Sequence, residues 1–338
     1  MGILYTSVAL IFLVLFLINI AWLVSNVYLS IIGGFNLILH GENPIENIYY
    51  SIFLKWILLA DVLFLVGAFV FMIKRKNYKT DPNLHFLRYD PITEPKICVI
   101  IPVYNEALAI GKVVKDHVNQ KFVKYVVVID NNSTDRTAEI AEKCGASVIK
   151  NSKNYGFAYS YIIGLMEALK TNANVIVTTE GDGNFNAYDI PRVLSYLDNC
   201  DMVIGTRQNQ VLTEKGNQNS LLHVWGNFFL AKLIQIKYFS LLHTGIVNLT
   251  DVGCVFRGIR RTALEKIVDS LAFSGTDKPK VGIAVTIHLT LLGIENDLRI
   301  IEVPVAFNKR IGESKIGSIK KTRAIKIGLF FLWHILKH

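Results

Sequence analysis

Two long apolar blocks open the chain, and short apolar runs follow. Residues 3 to 24, ILYTSVALIFLVLFLINIAWLV, carry no charge and are long enough to cross a bilayer core of about 30 Å as one helix, with the apolar stretch continuing toward Ile32. A second block runs from about Tyr50 to Ile73 and stops at Lys74, Arg75 and Lys76, whereas the intervening GENPIENIYY has acidic residues and no Lys or Arg. Nothing resembles a basic start followed by a small-residue cleavage site, so the first block reads as a retained helix. The pattern predicts a transmembrane hairpin over residues 1–76, with spans at about 3–25 and 50–73, and the positive-inside rule puts both of its ends in the cytosol. A carboxylate at mid-membrane costs about 2.5 to 3.5 kcal/mol, so Asp61 is expected to face protein, for example Asn19 of the first span.

Residues 77–95 turn polar, with prolines at 82, 91 and 95, and read as a linker. Beyond them the period changes. KICVII, KYVVVID, ASVIK and NVIVTT are short apolar runs suited to buried strands, and the amphipathic stretches between them suit helices. Such alternation predicts an α/β domain with a mostly parallel sheet and helices on both faces, whose ligands bind beyond the carboxyl ends of the strands. Polar clusters fall at three of those ends: Pro102 to Glu106, Asp130 to Asp135, and Glu180-Gly181-Asp182. Singly, each could be a turn or a helix cap. In the third, an extended chain puts residues i and i+2 on one face, so Glu180 and Asp182 can share one cation. Hard oxygen ligands with few protein groups suit Mg²⁺ or Mn²⁺ on a nucleotide diphosphate.

Composition sharpens the membrane reading. Over 338 residues the chain is 51% hydrophobic, with mean hydropathy +0.37, too apolar for an ordinary soluble enzyme. The four cysteines lie far apart without metal-ligand spacing. Between Lys309 and Lys326 seven basic residues face one acid, a local +6 of the chain's net +9. That run precedes IGLFFLWHIL, too short to span, so residues 320–338 read as a basic amphipathic helix lying on an anionic leaflet. Residues 221–249, rich in Trp and Phe but interrupted by polar positions, read as membrane-lying helices, with a buried core helix as the alternative. Because the charge is local and no nucleic-acid motif occurs, nucleic acid is not an expected partner.

The runs VIIPVYNEA, VVVIDNNSTDRT, TEGDGN, DMVIGTR, DVGCVFR and EVPVAFNKRIGESK, taken together and in order over about residues 96–319, resemble the family 2 glycosyltransferases of Rossmann-like GT-A fold, in particular the dolichol-phosphate mannose synthase group of polyprenyl-phosphate glycosyltransferases. The resemblance implies a nucleotide-sugar donor, GDP-mannose or a UDP-sugar, and a polyprenyl phosphate acceptor. Pro102, Tyr104 and Glu106 stand where the family holds the nucleoside, and Asp130 where it contacts the base. Glu180 and Asp182 occupy the metal-binding D-x-D, with Asn184 where a glutamine often assists. Arg207, Arg310, Ser314 and Lys315 match phosphate-binding positions, Arg310 and Asp182 serving catalysis, while Asp251 and Arg257 match an acceptor-side motif.

The departures are Glu180 for the first aspartate, Asn131-Asn132 for the usual D-G, and Phe157 for the lysine of G-K-G. The implied reaction is inverting. A phosphate monoester with a second pKa of about 6 is largely a dianion at neutral pH and needs no strong protein base. Two other classes compete. A processive polysaccharide synthase shares the core, but its Q-x-x-R-W motif and further spans are missing from this chain, and a non-catalytic scaffold draws on the altered D-x-D. A homo-oligomer is compatible with every reading.

Overall fold

The computed structural model describes residues 2–41, 56, 59–63, 65–66, 88–238, 248–271, 282–312 and 321–338. The chain divides into two compact units, residues 1–79 with 336–338, and residues 80–335. In the first, α1 (Gly2–His40) is one unbroken helix, and its apolar window Leu13–His40, of mean hydropathy 2.0, makes it the helix long and apolar enough to cross a membrane among the described residues. It runs well past the expected end of the span near residue 25. No proline and no charge interrupts the chain before Glu42, and the Gly33-Gly34 pair is tolerated inside the helix. Asn19 satisfies its amide on its own helix, through Leu15 O at 2.9 Å, rather than across to Asp61. The second expected span is helical at the positions described, 59–63 among them, and otherwise lies outside the described residues.

The second unit is built on a seven-stranded sheet. Its elements, in chain order, are β1 (Ile97–Val103), α2 (Ile110–Val118), β2 (Val123–Asp130), α3 (Thr137–Lys143), β3 (Ser147–Lys150), α4 (Phe157–Lys170), β4 (Val175–Thr178), α5 (Ile190–Leu197), β5 (Met202–Thr206), α6 (Leu221–Lys237), β6 (Arg257–Arg260), α7 (Arg261–Leu271), α8 (Val285–Glu295), β7 (Ile300–Pro304) and α9 (Lys321–Lys337). The strand order is β3-β2-β1-β4-β6-β5-β7. Pairing is parallel except where β6 inserts antiparallel between β4 and β5. Every residue of β1 and of β4 is buried, which is why their sequences are continuous apolar runs rather than alternating ones.

The compact unit is larger than the expected 96–319. Residues 88–96 are strapped to it: Arg260 pairs with the Asp90 carboxylate and takes the Asp90 carbonyl, Ile92 N donates to Asp198 at 3.1 Å, and Asn174 accepts from Lys96 N at 2.8 Å. The polar linker is therefore docked chain over its last part. At the other end α9 packs on the domain through Lys237 Nζ, which donates to Ile335 O at 2.8 Å, and through His334 and His288, whose ring nitrogens lie 3.2 Å apart.

Candidate active site

Both glycines of E-G-D-G are fixed by their surroundings, one by close packing and the other by its own φ. A Cβ on Gly181 would lie 2.4 Å from Val103 Cγ1 of the neighbouring strand, and Gly183 holds φ at +82° with Ile311 packed over it. The chain therefore turns sharply just past β4, against the end of β1. Asp182 Oδ1 accepts from Asn184 N at 3.0 Å, and the Asn184 amide donates to Asp182 Oδ2 at 3.0 Å and to Glu180 Oε2 at 3.4 Å. Burial, and then the charge of Asp182, pushes the Glu180 carboxyl up to about 7, and burial raises Asp182 as well. These two carboxylates are short of positive charge.

Arg310 supplies part of it. The chain after β7 runs alongside the turn, with Asn308 N on Asn184 O at 2.7 Å and Ile311 N on Asp182 O at 2.9 Å, and this carries the Arg310 guanidinium between Asp182 and Glu106, pairing with both. Glu106 comes from the loop after β1, which is laced to the loop after β2: Asn105, at φ +54°, accepts from Thr134 N at 2.8 Å, Asn105 N donates to Ser133 Oγ at 2.9 Å, and Glu106 N to Thr137 Oγ1 at 2.8 Å. The ends of β1 and β4 thus meet on one guanidinium, carried by the loop after β7.

Around them lies a cavity of about 460 Å³. Its lining includes Pro102, Tyr104, Glu106, Glu180, Asp182, Asn184, Arg207 and Arg310, so the structure brings most of the candidate residues together. Asp130 stands apart. It is fully buried behind the lining, with Oδ1 bonded to the Ser133 hydroxyl and to Ser133 N at 3.1 Å, and Asn131 faces the cavity in its place. Ser314 and Lys315 lie outside the described residues. Arg207 reaches the cavity with its fork already taken, Nε at 2.6 Å and Nη2 at 2.7 Å from the Asp251 carboxylate. Arg257 is fully buried away from the cavity, on Cys254 O and Thr290 Oγ1.

The residue types suit a divalent cation. Among the described residues Glu180 has the Asn184 amide as its one hydrogen-bond partner, and Asn184 Oδ1 is buried without one, leaving an amide oxygen beside two carboxylates. Among the described residues no group of three or more His, Cys, Asp or Glu is poised as a closed metal cage.

Several lining residues escaped sequence reasoning. Asn154, just before α4, and Ser160, in its first turn, belong to the stretch noted only for its missing lysine. His223 and Asn227 come from α6, a helix read as membrane-lying; its second half is core, with Leu230, Ala231, Leu233 and Ile234 buried, while Leu221 and Trp225 stand exposed. Ala324, Ile327 and Phe331 of α9 form an apolar wall, and Ile325, Leu329 and Trp333 point outward on the opposite face. The i, i+4 spacing of the outward three was visible in the sequence; the inward use of the others was not.

The model of the family described as Glycosyl transferase family 2 matches residues 98–268. A dolichyl-phosphate hexose transferase of Haloferax volcanii is 30% identical over 231 residues, covering 68% of this chain and 90% of the relative. A polyprenol monophosphomannose synthase of Mycolicibacterium smegmatis is 28% identical over 68% of this chain and 84% of its own. Glucosyl-3-phosphoglycerate synthase from Mycobacterium tuberculosis, solved with Mn²⁺, UDP-glucose and phosphoglyceric acid, superposes with a TM-score of 0.51 at 17% identity, covering 71% of this chain and 80% of that one. The fold is shared with that enzyme.

Proposed function

We propose a reaction from one premise: the chain belongs to glycosyl transferase family 2 and is a glycosyltransferase. It moves a hexose from a nucleoside-diphosphate sugar to a polyprenyl or dolichyl phosphate at the cytosolic leaflet, with inversion at the anomeric carbon. The observation that carries this reading is a single cavity whose lining includes both the charged Glu180, Asp182 and Arg310 and the apolar Ala324, Ile327 and Phe331 of α9. A charged donor and an apolar acceptor could meet inside it. The names of the two relatives, a dolichyl-phosphate hexose transferase and a polyprenol monophosphomannose synthase, point the same way.

An oxygen of the acceptor phosphate dianion attacks the anomeric carbon as the bond to the diphosphate breaks, and the electron pair leaves with the nucleotide. Arg310, exchanging Asp182 and Glu106 for phosphate oxygens, neutralises charge that grows on the leaving group. Tyr104 and Pro102 bound the nucleoside, and Asn184 orients the two carboxylates. A Mg²⁺ or Mn²⁺ held by Glu180, Asp182 and the Asn184 amide oxygen would supply further charge neutralisation to the diphosphate. Asp251 orients Arg207 and so shapes the cavity floor.

The membrane part of the proposal is a two-span hairpin with the catalytic unit and both termini in the cytosol, α9 lying on the leaflet through Ile325, Leu329 and Trp333. Protease added to sealed right-side-out vesicles should reach at most the loop around Glu42 to Glu46. Cleavage of the catalytic unit from outside would reverse the orientation.

The direct test is a screen of labelled nucleotide sugars with purified protein, polyprenyl phosphate and Mg²⁺. Lipid-extractable label is expected, lost on chelation and in Asp182→Asn, with Glu180→Gln less affected. Label that reaches only water-soluble products, or no transfer with any donor, would remove the reading.

A further inference from the structure

Behind the cavity lining, β7 carries a carboxylate that touches neither substrate pole. Glu302 sits opposite Ile204 in the β5–β7 pairing, three residues before Arg207. Its Oε2 accepts from Thr250 N at 2.8 Å and from the Thr250 hydroxyl at 2.7 Å, and its Oε1 accepts from Asp251 N at 2.8 Å. Burial pushes the Glu302 carboxyl up, and these donors pull it back down.

The directions of the bonds beyond it follow. Because the Thr250 hydroxyl spends its proton on Glu302, its oxygen accepts from the Thr206 hydroxyl at 2.8 Å, and Thr206 Oγ1 in turn accepts from Gln208 N at 3.2 Å. Asp251, with its N–H held by Glu302, turns its carboxylate the other way, onto Arg207 N at 3.1 Å, Nε at 2.6 Å and Nη2 at 2.7 Å. Thr206, Arg207 and Gln208 are therefore all tied to the Thr250–Asp251 pair, and that pair is tied to one carboxylate. Among the described residues Arg207 Nη1 has no hydrogen-bond partner, and the guanidinium lines the cavity.

We propose that Glu302 is a positioning residue for transfer: it fixes the Thr250–Asp251 mount from behind and so holds Arg207 with Nη1 offered to a phosphate oxygen of donor or acceptor. An amide cannot replace it. Whichever way a glutamine turned there, its N–H₂ would face the N–H of Thr250 or of Asp251, and the mount would be pushed off. Misplacement of a positioned group by about 1 Å costs on the order of a hundredfold in rate. The inference rests on the transfer reading above and deepens it, naming a residue that acts through another.

The test is steady-state transfer by the full chain in detergent, with Mg²⁺, polyprenyl phosphate and the nucleotide sugar found by the screen above. Glu302→Gln should lower kcat/KM about ten- to a hundredfold. A raised KM for the nucleotide sugar assigns Nη1 to the diphosphate, and a raised KM for the polyprenyl phosphate assigns it to the acceptor. Made in Arg207→Lys, which keeps the charge but has no Nη1, the same change should cost less than about threefold, because the mount has nothing left to aim. Thr250→Val keeps the shape without the hydroxyl and should lose about three- to tenfold, again only with Arg207 present, while Thr250→Ser stays within about twofold of wild type. If Glu302→Gln does not fold, the Thr250 pair decides alone. Equal losses in both Arg207 backgrounds, or Thr250→Val as active as Thr250→Ser, overturn this inference alone. A wild-type chain that transfers from no donor overturns the transfer reading and this inference with it.

Discussion

Arg207 and Arg310 line one cavity and are the same residue type, yet their surroundings differ. Arg207 follows β5 and is closed on Asp251: two fork bonds of 2.6 and 2.7 Å, a third from its own backbone N–H at 3.1 Å, and the guanidinium over the Phe307 ring. Asp251 is fully buried, and the carboxylate of Glu302 holds the backbone N–H groups of Thr250 and Asp251 from behind. Arg310 instead rides a loop and bridges carboxylates from two different strand ends, both of which have other uses in the site. A closed buried pair holds the cavity's shape, because neither charge can leave without exposing the other to a low dielectric. A bridging arginine over a pair of cation-hungry carboxylates can trade its partners for phosphate.

The largest effect expected from that contrast is on stability. Arg207→Ala strands the Asp251 carboxylate and should cost about 3 to 5 kcal/mol in denaturant unfolding. An unchanged unfolding midpoint would break the comparison by making Arg207 as dispensable to the fold as Arg310. Next, Arg310→Lys keeps the charge and loses the planar fork. Transfer at saturating donor and acceptor should fall ten- to a thousandfold, about 1.5 to 4 kcal/mol, with thermal unfolding almost unmoved. Near-normal turnover would reduce Arg310 to a surface cation.

Gly181→Ala probes the floor that both arginines share. Its Cβ would meet Val103 at 2.4 Å, so β1 and the Glu180–Asp182 turn must part, at about 1 to 3 kcal/mol of stability, with loss of transfer as the two carboxylates shift. Wild-type stability in this variant would mean that the strand end is more pliable than its packing implies. The smallest effect sharpens the contrast at α9: Trp333→Ala on the outward face should weaken binding to anionic vesicles about three- to tenfold and spare transfer in detergent, whereas Ile327→Ala on the cavity wall should do the reverse. Equal behaviour of the two in both assays would erase the distinction between the helix's faces.

The sheet was legible because buried parallel strands must be continuous apolar runs. Ile97 to Val103, the apolar end of β2, and Val175 to Thr178 announce themselves, and the polar clusters that end them fall on the rim by topology alone. Placement of the side chains was less legible. Asp130 and Asn131 are adjacent in sequence, but one lies buried behind the cavity and the other faces it, where Asn151 and Asn154 of the segment between β3 and α4 hold its amide. The helix α1 continues beyond the expected span because neither a proline nor a charge ends it before Glu42. In α6 one stretch of sequence serves core and exposed surface at once, which the apolar count over its 17 residues does not separate.

Local chemistry thus decided what could be read in one dimension: the period of the apolar positions, the order of strand and helix, the glycines that let a chain turn against its neighbour, and the charge run before α9. Which arginine is locked and which is exchangeable, and which face of α9 closes the cavity, depend on partners dozens of residues away. Arg207 waits on Asp251 and Arg310 on Glu106. Hydrogen bonds and ion pairs take their energy from geometry and desolvation at short range, and only the folded chain brings those groups within range of one another.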